Sequence, residues 1–177
     1  YIETITGLLE DNPGDKYILC ITYDKKKDII WKDNDAFDKM IQNLKLSFKN
    51  YGPPELLEFM SPTLDLSFNQ EEFLKKYQLF EKAFNKYKQM KIAVINGDSL
   101  KNRGKKYLIS SLEDIEQIRK ACKALRLKLK LSVNFNDIKG KDDIMNNMDS
   151  AVKVLASMRS FIVGIHINSI SAKDYSF

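Results

Sequence analysis

Two hydrophobic periods alternate along this chain, and that alternation limits its fold more than any other feature. Residues 70 to 88 place Phe73, Tyr77, Phe80, Phe84 and Tyr87 at steps of four, three, four and three. That is the spacing of one helix face. Similar stripes run over 35 to 48 (Phe37, Met40, Ile41, Leu44, Phe48, behind Asp35), 112 to 126 (Leu112, Ile115, Ile118, Cys122, Leu125) and 141 to 158 (Ile144, Met148, Ala151, Leu155, Met158). A shorter first helix over about 2 to 10 rests on Ile2, Ile5 and Leu9. Start signals agree: Asn69 stands three residues before Glu72, and Ser110 and Ser111 stand before Glu113 and Asp114 at the capping-box offset. At its spacing the aromatic stripe of 73 to 87 is expected to pack in the core rather than to face a cofactor.

Between the helices lie short apolar runs bounded by turn residues. They are Tyr17 to Tyr23, Leu56 to Met60, Ile92 to Ile95, Leu129 to Phe135 and Phe161 to Ile167. Asn12-Pro13-Gly14-Asp15 ends the first helix, and Gly52-Pro53-Pro54 breaks the chain before the second run. Strands alternating with helices of this length give βαβ crossovers. The expected class is therefore α/β, with a mainly parallel sheet of about five βα units. One local exception is anticipated near residues 17 to 31, where the charged turn after Tyr23 would allow Asp28 to Trp31 to return as a β-hairpin strand. No Gly/Ser linker divides residues 1 to 177, which read as a single domain. The longest irregular stretch is Asn96 to Ser111.

Composition narrows the class of function. Hydrophobic residues make up 44% and charged residues 30%, which suits a packed core and not a disordered chain. The net charge of +5 comes from 29 basic residues interspersed with 24 acidic ones, so a lysine-rich solvated surface is expected rather than a dedicated nucleic-acid face. Cys20 and Cys122 lie far apart on apolar positions and are expected to be reduced thiols. Trp31 and Tyr51 offer aromatic surface without a stacking pattern. No apolar run is long enough for a membrane helix, and Tyr1-Ile2-Glu3-Thr4 lacks a basic leader region. A cytoplasmic domain is expected, and a chain beginning with Tyr is read as part of a longer protein.

In parallel α/β folds, sites form where strands end, because loops and helix N-termini converge there. Those ends present Thr22, Tyr23 and Asp24; then Glu58, Ser61, Thr63 and Asp65; then Asn96, Asp98 and Ser99; then Ser132, Asn134, Asn136 and Asp137; and finally His166, Asn168 and Ser169. Glu58, Asn96 and Asn134 recur 38 residues apart. Period-2 alternation puts Ser132 and Asn134 on one face of their strand, and Gly164, His166 and Asn168 on one face of theirs. The candidate catalytic pair is Glu58 and His166, with Asn96, Asp98, Asn134 and Asn168 as ligand-binding residues. The loop after Asn96 adds Lys101, Arg103, Lys105 and Lys106; Arg103 and Lys105 are the candidate phosphate contacts. No P-loop, GxGxxG, GxSxG elbow or HxH spacing is present.

The run from Ser111 to Phe135, SLEDIEQIRKACKALRLKLKLSVNF, resembles the xylose isomerase-like TIM barrels, the group of sugar isomerases and endonuclease IV. Phe161 to Asn168, FIVGIHIN, is similar to a strand of that group ending in a His-containing motif, and Leu56 to Phe59 to its early strands. The resemblance spans about residues 55 to 168. It implies a partial or truncated barrel, because five βα units fit the length and eight do not. It implies divalent metal bound by strand-end carboxylates and histidines, with counterparts here only at Glu58, His166 and Asn168; Asn134 stands where that group often has Glu, so the metal site is degenerate. Three readings are open. One is a domain binding a small polar or phosphorylated ligand, with Glu58 as base or metal ligand and His166 as acid/base or ligand. The second is a non-catalytic interaction or scaffold domain serving other domains of its parent protein. The third is a nucleic-acid-associated domain using the Lys101 to Lys106 loop.

Overall fold

The computed structural model of this protein describes residues 16–21, 30–65, 67–97, 106–134 and 148–166. In chain order the elements are β1 (Ile18–Ile21), α1 (Asn34–Tyr51), β2 (Leu56–Met60), β3 (Thr63–Leu64), α2 (Gln70–Ala83), β4 (Lys91–Ile95), β5 (Lys106–Tyr107), α3 (Leu112–Ala124), β6 (Lys130–Asn134), α4 (Met148–Ser157) and β7 (Ile162–His166). The α/β class and the parallel sheet of five strands agree with the sequence pattern.

Helices α1, α2 and α3 each begin where a side chain can satisfy free N–H groups. Asp33 accepts from the Ala36 N–H at 2.7 Å, so α1 is capped by Asp33 and not by Asp35, and it runs three residues past Phe48. Asn69 accepts from the N–H groups of Glu71 and Glu72, while Glu72 turns away to Lys75. The reciprocal capping box forms instead at Ser111 and Asp114. Helix α2 is shorter than its aromatic stripe. It stops at Phe84, whose N–H is shared between the carbonyls of Phe80 and Glu81. Phe84 still points inward, and Tyr87 packs against the same core from the turn that follows.

The main sheet has the order β1-β2-β4-β6-β7, and all four pairings are parallel. Strand order follows chain order. Right-handed crossovers that always step the same way place every connecting helix on the same side. The core bears this out. Leu19, Leu57, Phe59, Ile92, Val94, Leu131 and Val133 form one cluster with the inward faces of α1, α2, α3 and α4. Trp31 is at its centre, 1% exposed, with ring contacts to Phe37, Phe59, Phe73 and Phe80. The expectation that Trp31 is surface aromatic is thus corrected. It lies beside the N-terminus of α1 where the aromatic stripe of α2 meets β2, and burying so large a ring there contributes strongly to stability. Among the described strands the sheet does not close into a barrel: β1 and β7 are both edges.

A second, two-stranded sheet pairs β3 with β5, antiparallel, within a stretch expected to be irregular. The Tyr107 ring lies where a Cβ on Gly97 would stand, so only glycine fits there. Of the anticipated hairpin strand, Ile30 and Trp31 lie in a turn leading into α1, and Asp28 and Ile29 fall outside the described residues. The first helix over 2 to 10 also falls outside them.

Candidate functional site

The face of the sheet opposite the helices carries Cys20, Leu56, Glu58, Ala93, Ile95, Ser132, Asn134, Gly164 and His166, by the alternation of their strands and the register between them. Leu56, Ala93 and Ile95 are buried yet lie outside the helix-side core, as this placement requires. Glu58 is the notable member. It is a carboxylate in the middle of a strand and 2% exposed. A buried charge must be paired or hydrogen-bonded, and Glu58 is. Its Oε1 accepts a hydrogen bond from the Ser132 hydroxyl and stands 3.2 Å from His166 Nε2.

This contact crosses the sheet. Glu58 is on β2 and His166 on β7, three strand spacings away, about 14 Å in a flat sheet. Three features close that gap. Both side chains are long, and their ends, Glu58 Oε1 and His166 Nε2, meet at 3.2 Å over the strands between them. Ala93 sits beside Glu58 on the intervening β4, and its small side chain lets the carboxylate reach past. Gly164 pairs with Ser132 and has no side chain: a Cβ there would meet Ser132 Oγ at 2.6 Å and Glu58 Oε1 at 3.3 Å. Between Leu131 and Ser132 the register with β7 shifts by one residue, and this irregularity keeps Gly164 and His166 on the same face as Ser132 and Asn134.

Next to this cluster the ends of β4 and β6 are fastened together. The Asn96 amide nitrogen donates to the Asn134 carbonyl at 3.0 Å, and the Asn134 N–H donates to Asn96 Oδ1 at 2.7 Å. Asn96, fully buried, therefore stands in for one more step of the β-ladder where the strands diverge.

Cys20 pairs in register with Glu58. Burial, and then the Glu58 charge, push its thiol up to about 11. The thiol is protonated at neutral pH and is a poor nucleophile. Cys122 is buried among apolar groups and pushed up to about 12. Both are free thiols, as expected from their spacing.

No protein-family model, curated protein or solved structure matches this chain.

Of the sequence-selected residues, the structure brings Glu58, Ser132 and His166 into one cluster and fastens Asn96 to Asn134 beside it. Ser61, Thr63 and Asp65 do local structural work. The Ser61 hydroxyl accepts from the Ile109 N–H at 2.9 Å, and Thr63 belongs to β3. Asp65 pairs with Lys32 at 2.6 Å and accepts from the N–H groups of Ser67 and Phe68; Lys32 and then Ser67 hold its carboxyl well below the usual range. Asp98, Asn168, Arg103, Lys105, Thr22, Tyr23, Asp24, Ser99, Lys101, Asn136, Asp137 and Ser169 lie outside the described residues.

Gly164 and Ala93 escaped selection because attention to reactive side chains passes over residues that have almost none. A glycine inside a β-type run was the available signal, since it often marks a close approach.

As a metal centre the cluster fits poorly. Glu58 and His166 supply two donors, and Oε1 is already engaged by Ser132 and faces the imidazole. A zinc site needs three or more protein ligands. Among the described residues no group of three His, Cys, Asp or Glu side chains stands close enough to hold an ion. Nor is any described helix long and apolar enough to cross a membrane. Two clefts among the described residues lie at the other end of the sheet, around Lys88 to Lys91 and between Glu81 and Lys128, where the strands begin. They are open hollows lined mainly by lysine stems and turn residues, and carry no cluster of reactive groups.

Proposed function

We propose that this is a small-ligand-binding α/β domain whose site lies on the face of the sheet opposite the described helices, at the C-terminal ends of β4, β6 and β7, where His166 is partly exposed. One observation carries the reading: a buried carboxylate, Glu58, is held against Ser132 and His166 on the side of the sheet opposite the described helices. Evolving a core gives no reason to bury a charge there, whereas a site needs a supported imidazole. The His166 side chain is 39% exposed and that of Glu58 only 3%. His166 is therefore the group that meets the ligand, and Glu58 supports it from behind. The Asn134 side chain lies next to it on the same face. Arg103 and Lys105 would add a phosphate contact for a phosphorylated ligand.

The same reading accommodates a partial barrel related to the xylose isomerase-like group. A parallel sheet with strands in chain order and helices on one face supports it, as does the placement of Glu58 and His166. The donor set argues against the metal chemistry of that group, so acid–base work by His166 is the form of catalysis proposed.

The test is a screen of small polar and phosphorylated compounds by chemical-shift perturbation in the labelled protein. Shifts centred on Ser132, Asn134 and His166, and lost in His166→Ala, are expected. Binding that leaves these residues unmoved, or that survives His166→Ala unchanged, would sink the proposal.

A second reading, an interaction module, is favoured by the sheet edges. β1 and β7 have no outer neighbour among the described strands, and Ile18 and Ile165 at those edges are 61% and 63% exposed. Edge strands of this kind add a partner strand readily. A self-associating or partner-bound protein in which β1 or β7 amides become protected from exchange would support this reading over the first.

A further inference from the structure

We propose that Glu58 and Ser132 are positioning residues that fix His166 as the Nε2–H tautomer, so that Nδ1 is the ring atom offered to a ligand, and that the group it takes is a hydrogen-bond donor carrying no negative charge. The ligand part rests on the reading above; the tautomer part rests on the contact geometry with Glu58 as the acceptor.

Oε1 of Glu58 is the shared atom. It accepts the Ser132 hydroxyl and stands 3.2 Å from His166 Nε2. An ionised carboxylate oxygen only accepts, so with Glu58 ionised the proton of that contact belongs to the imidazole nitrogen. With Nε2 carrying the hydrogen, the neutral ring has its lone pair at Nδ1. The order of contacts matters. In a serine hydrolase the imidazole takes the serine proton, and the acid lies behind the imidazole. Here serine and imidazole both donate to the acid. Ser132 is therefore committed to Glu58 and is not the group activated by His166.

The surroundings set what Nδ1 meets. Glu58 is a buried negative charge directly behind the ring, and a low-dielectric setting strengthens its field. Among the described residues, the lysines on this face, Lys91 and Lys130, sit at the opposite ends of their strands, and Lys130 Nζ donates to the Ser160 carbonyl at 2.7 Å. An anion placed on Nδ1 would meet an acceptor lone pair backed by a carboxylate. A hydroxyl or ammonium group would meet a lone pair and a favourable field. A phosphorylated ligand would thus turn its phosphate away from His166.

His166 is the only histidine in the chain, so its ring nitrogens can be read without assignment ambiguity. The experiment is long-range ¹H–¹⁵N correlation of the imidazole over a pH series, on the native protein, Glu58→Gln, Glu58→Leu and Ser132→Ala. In the native protein the neutral ring is expected to carry its proton on Nε2, with that proton shifted downfield and slow to exchange with water. In Glu58→Leu the proton exchanges at least tenfold faster and both tautomers appear. Ser132→Ala, the mildest change, keeps the Nε2–H form but speeds its exchange. Should Glu58→Leu fail to fold, Glu58→Gln and Ser132→Ala carry the comparison. A native ring with its proton on Nδ1, or a ring indifferent to all three changes, overturns the proposal. Titration then uses ethanolamine as the donor probe and inorganic phosphate as the anionic one. Nδ1 is expected to move with ethanolamine only. Movement with phosphate alone overturns the donor assignment. An intact Nε2–H ring that answers neither probe leaves the tautomer standing and counts against a small-ligand site on this face.

Discussion

His166 Nε2 lies 3.2 Å from Glu58 Oε1 although 108 residues and two intervening strands separate them. The contact exists because two neighbours are small. Ala93 lets the carboxylate extend past β4, and Gly164 leaves room for Ser132 on β6 to reach the same oxygen.

Gly164→Ala tests that dependence. Its added methyl would stand 2.6 Å from Ser132 Oγ. Overpacking of this kind costs about 1–3 kcal/mol, whereas a Gly-to-Ala change gains about 0.4–1 kcal/mol through the unfolded chain. Gly164 does not need a left-handed backbone, so no further strain enters. A net loss of about 1–2 kcal/mol is expected in urea unfolding. Equal or greater stability would show that the cluster is loose.

Asn96 is predicted to be irreplaceable by its closest relatives. Asn96→Asp keeps the acceptor for the Asn134 N–H but places an oxygen against the Asn134 carbonyl. Asn96→Ala leaves both backbone groups unmatched. Losing a buried partner costs about 1–3 kcal/mol per group, so Asn96→Ala should destabilise by at least that amount. The sharper readout is hydrogen exchange at the Asn134 amide, which should quicken in Asn96→Ala well before the centres of β4 and β6 do.

Cys122 gives a pH dependence with a defined sign. Its thiol is pushed up to about 12 in the folded chain, while an unfolded cysteine titrates near ~8.5. A folded value above the unfolded one means that the stabilisation is fully present below pH ~8.5 and is lost as pH rises through the interval toward 12. The loss approaches about 1.4 kcal/mol for each pH unit above ~8.5. Cys122→Ala leaves a cavity and is less stable at pH 7, yet its stability should fall less steeply from pH 8.5 to 10.5. Parallel curves for the two proteins would show that Cys122 does not contribute to alkaline unfolding.

Trp31 is the only tryptophan and lies in the centre of the aromatic core. Its fluorescence should be blue-shifted in the native protein and move to longer wavelength on unfolding. Trp31→Ala is expected to cost about 3–5 kcal/mol, and Trp31→Phe less, because Phe59, Phe73 and Phe80 keep a ring to pack on. A red native emission would place Trp31 at the surface after all.

Periodicity alone determined the α/β class, the places of the four described helices and five strands, and which side chains share a face, because these follow from local geometry. The stripe of Phe73, Tyr77, Phe80 and Phe84 had one way to be buried, and Ser132, Asn134, Gly164 and His166 had to lie on one side of their strands. Local pattern is silent on distance across the sheet. The Asn96–Asn134 clasp, the β3–β5 pair and the burial of Trp31 depend on which segments meet, as does the sharing of Glu58 Oε1 between Ser132 and His166. A one-residue register shift and the small side chains of Ala93 and Gly164 decided the last of these, and they act between residues far apart in the chain.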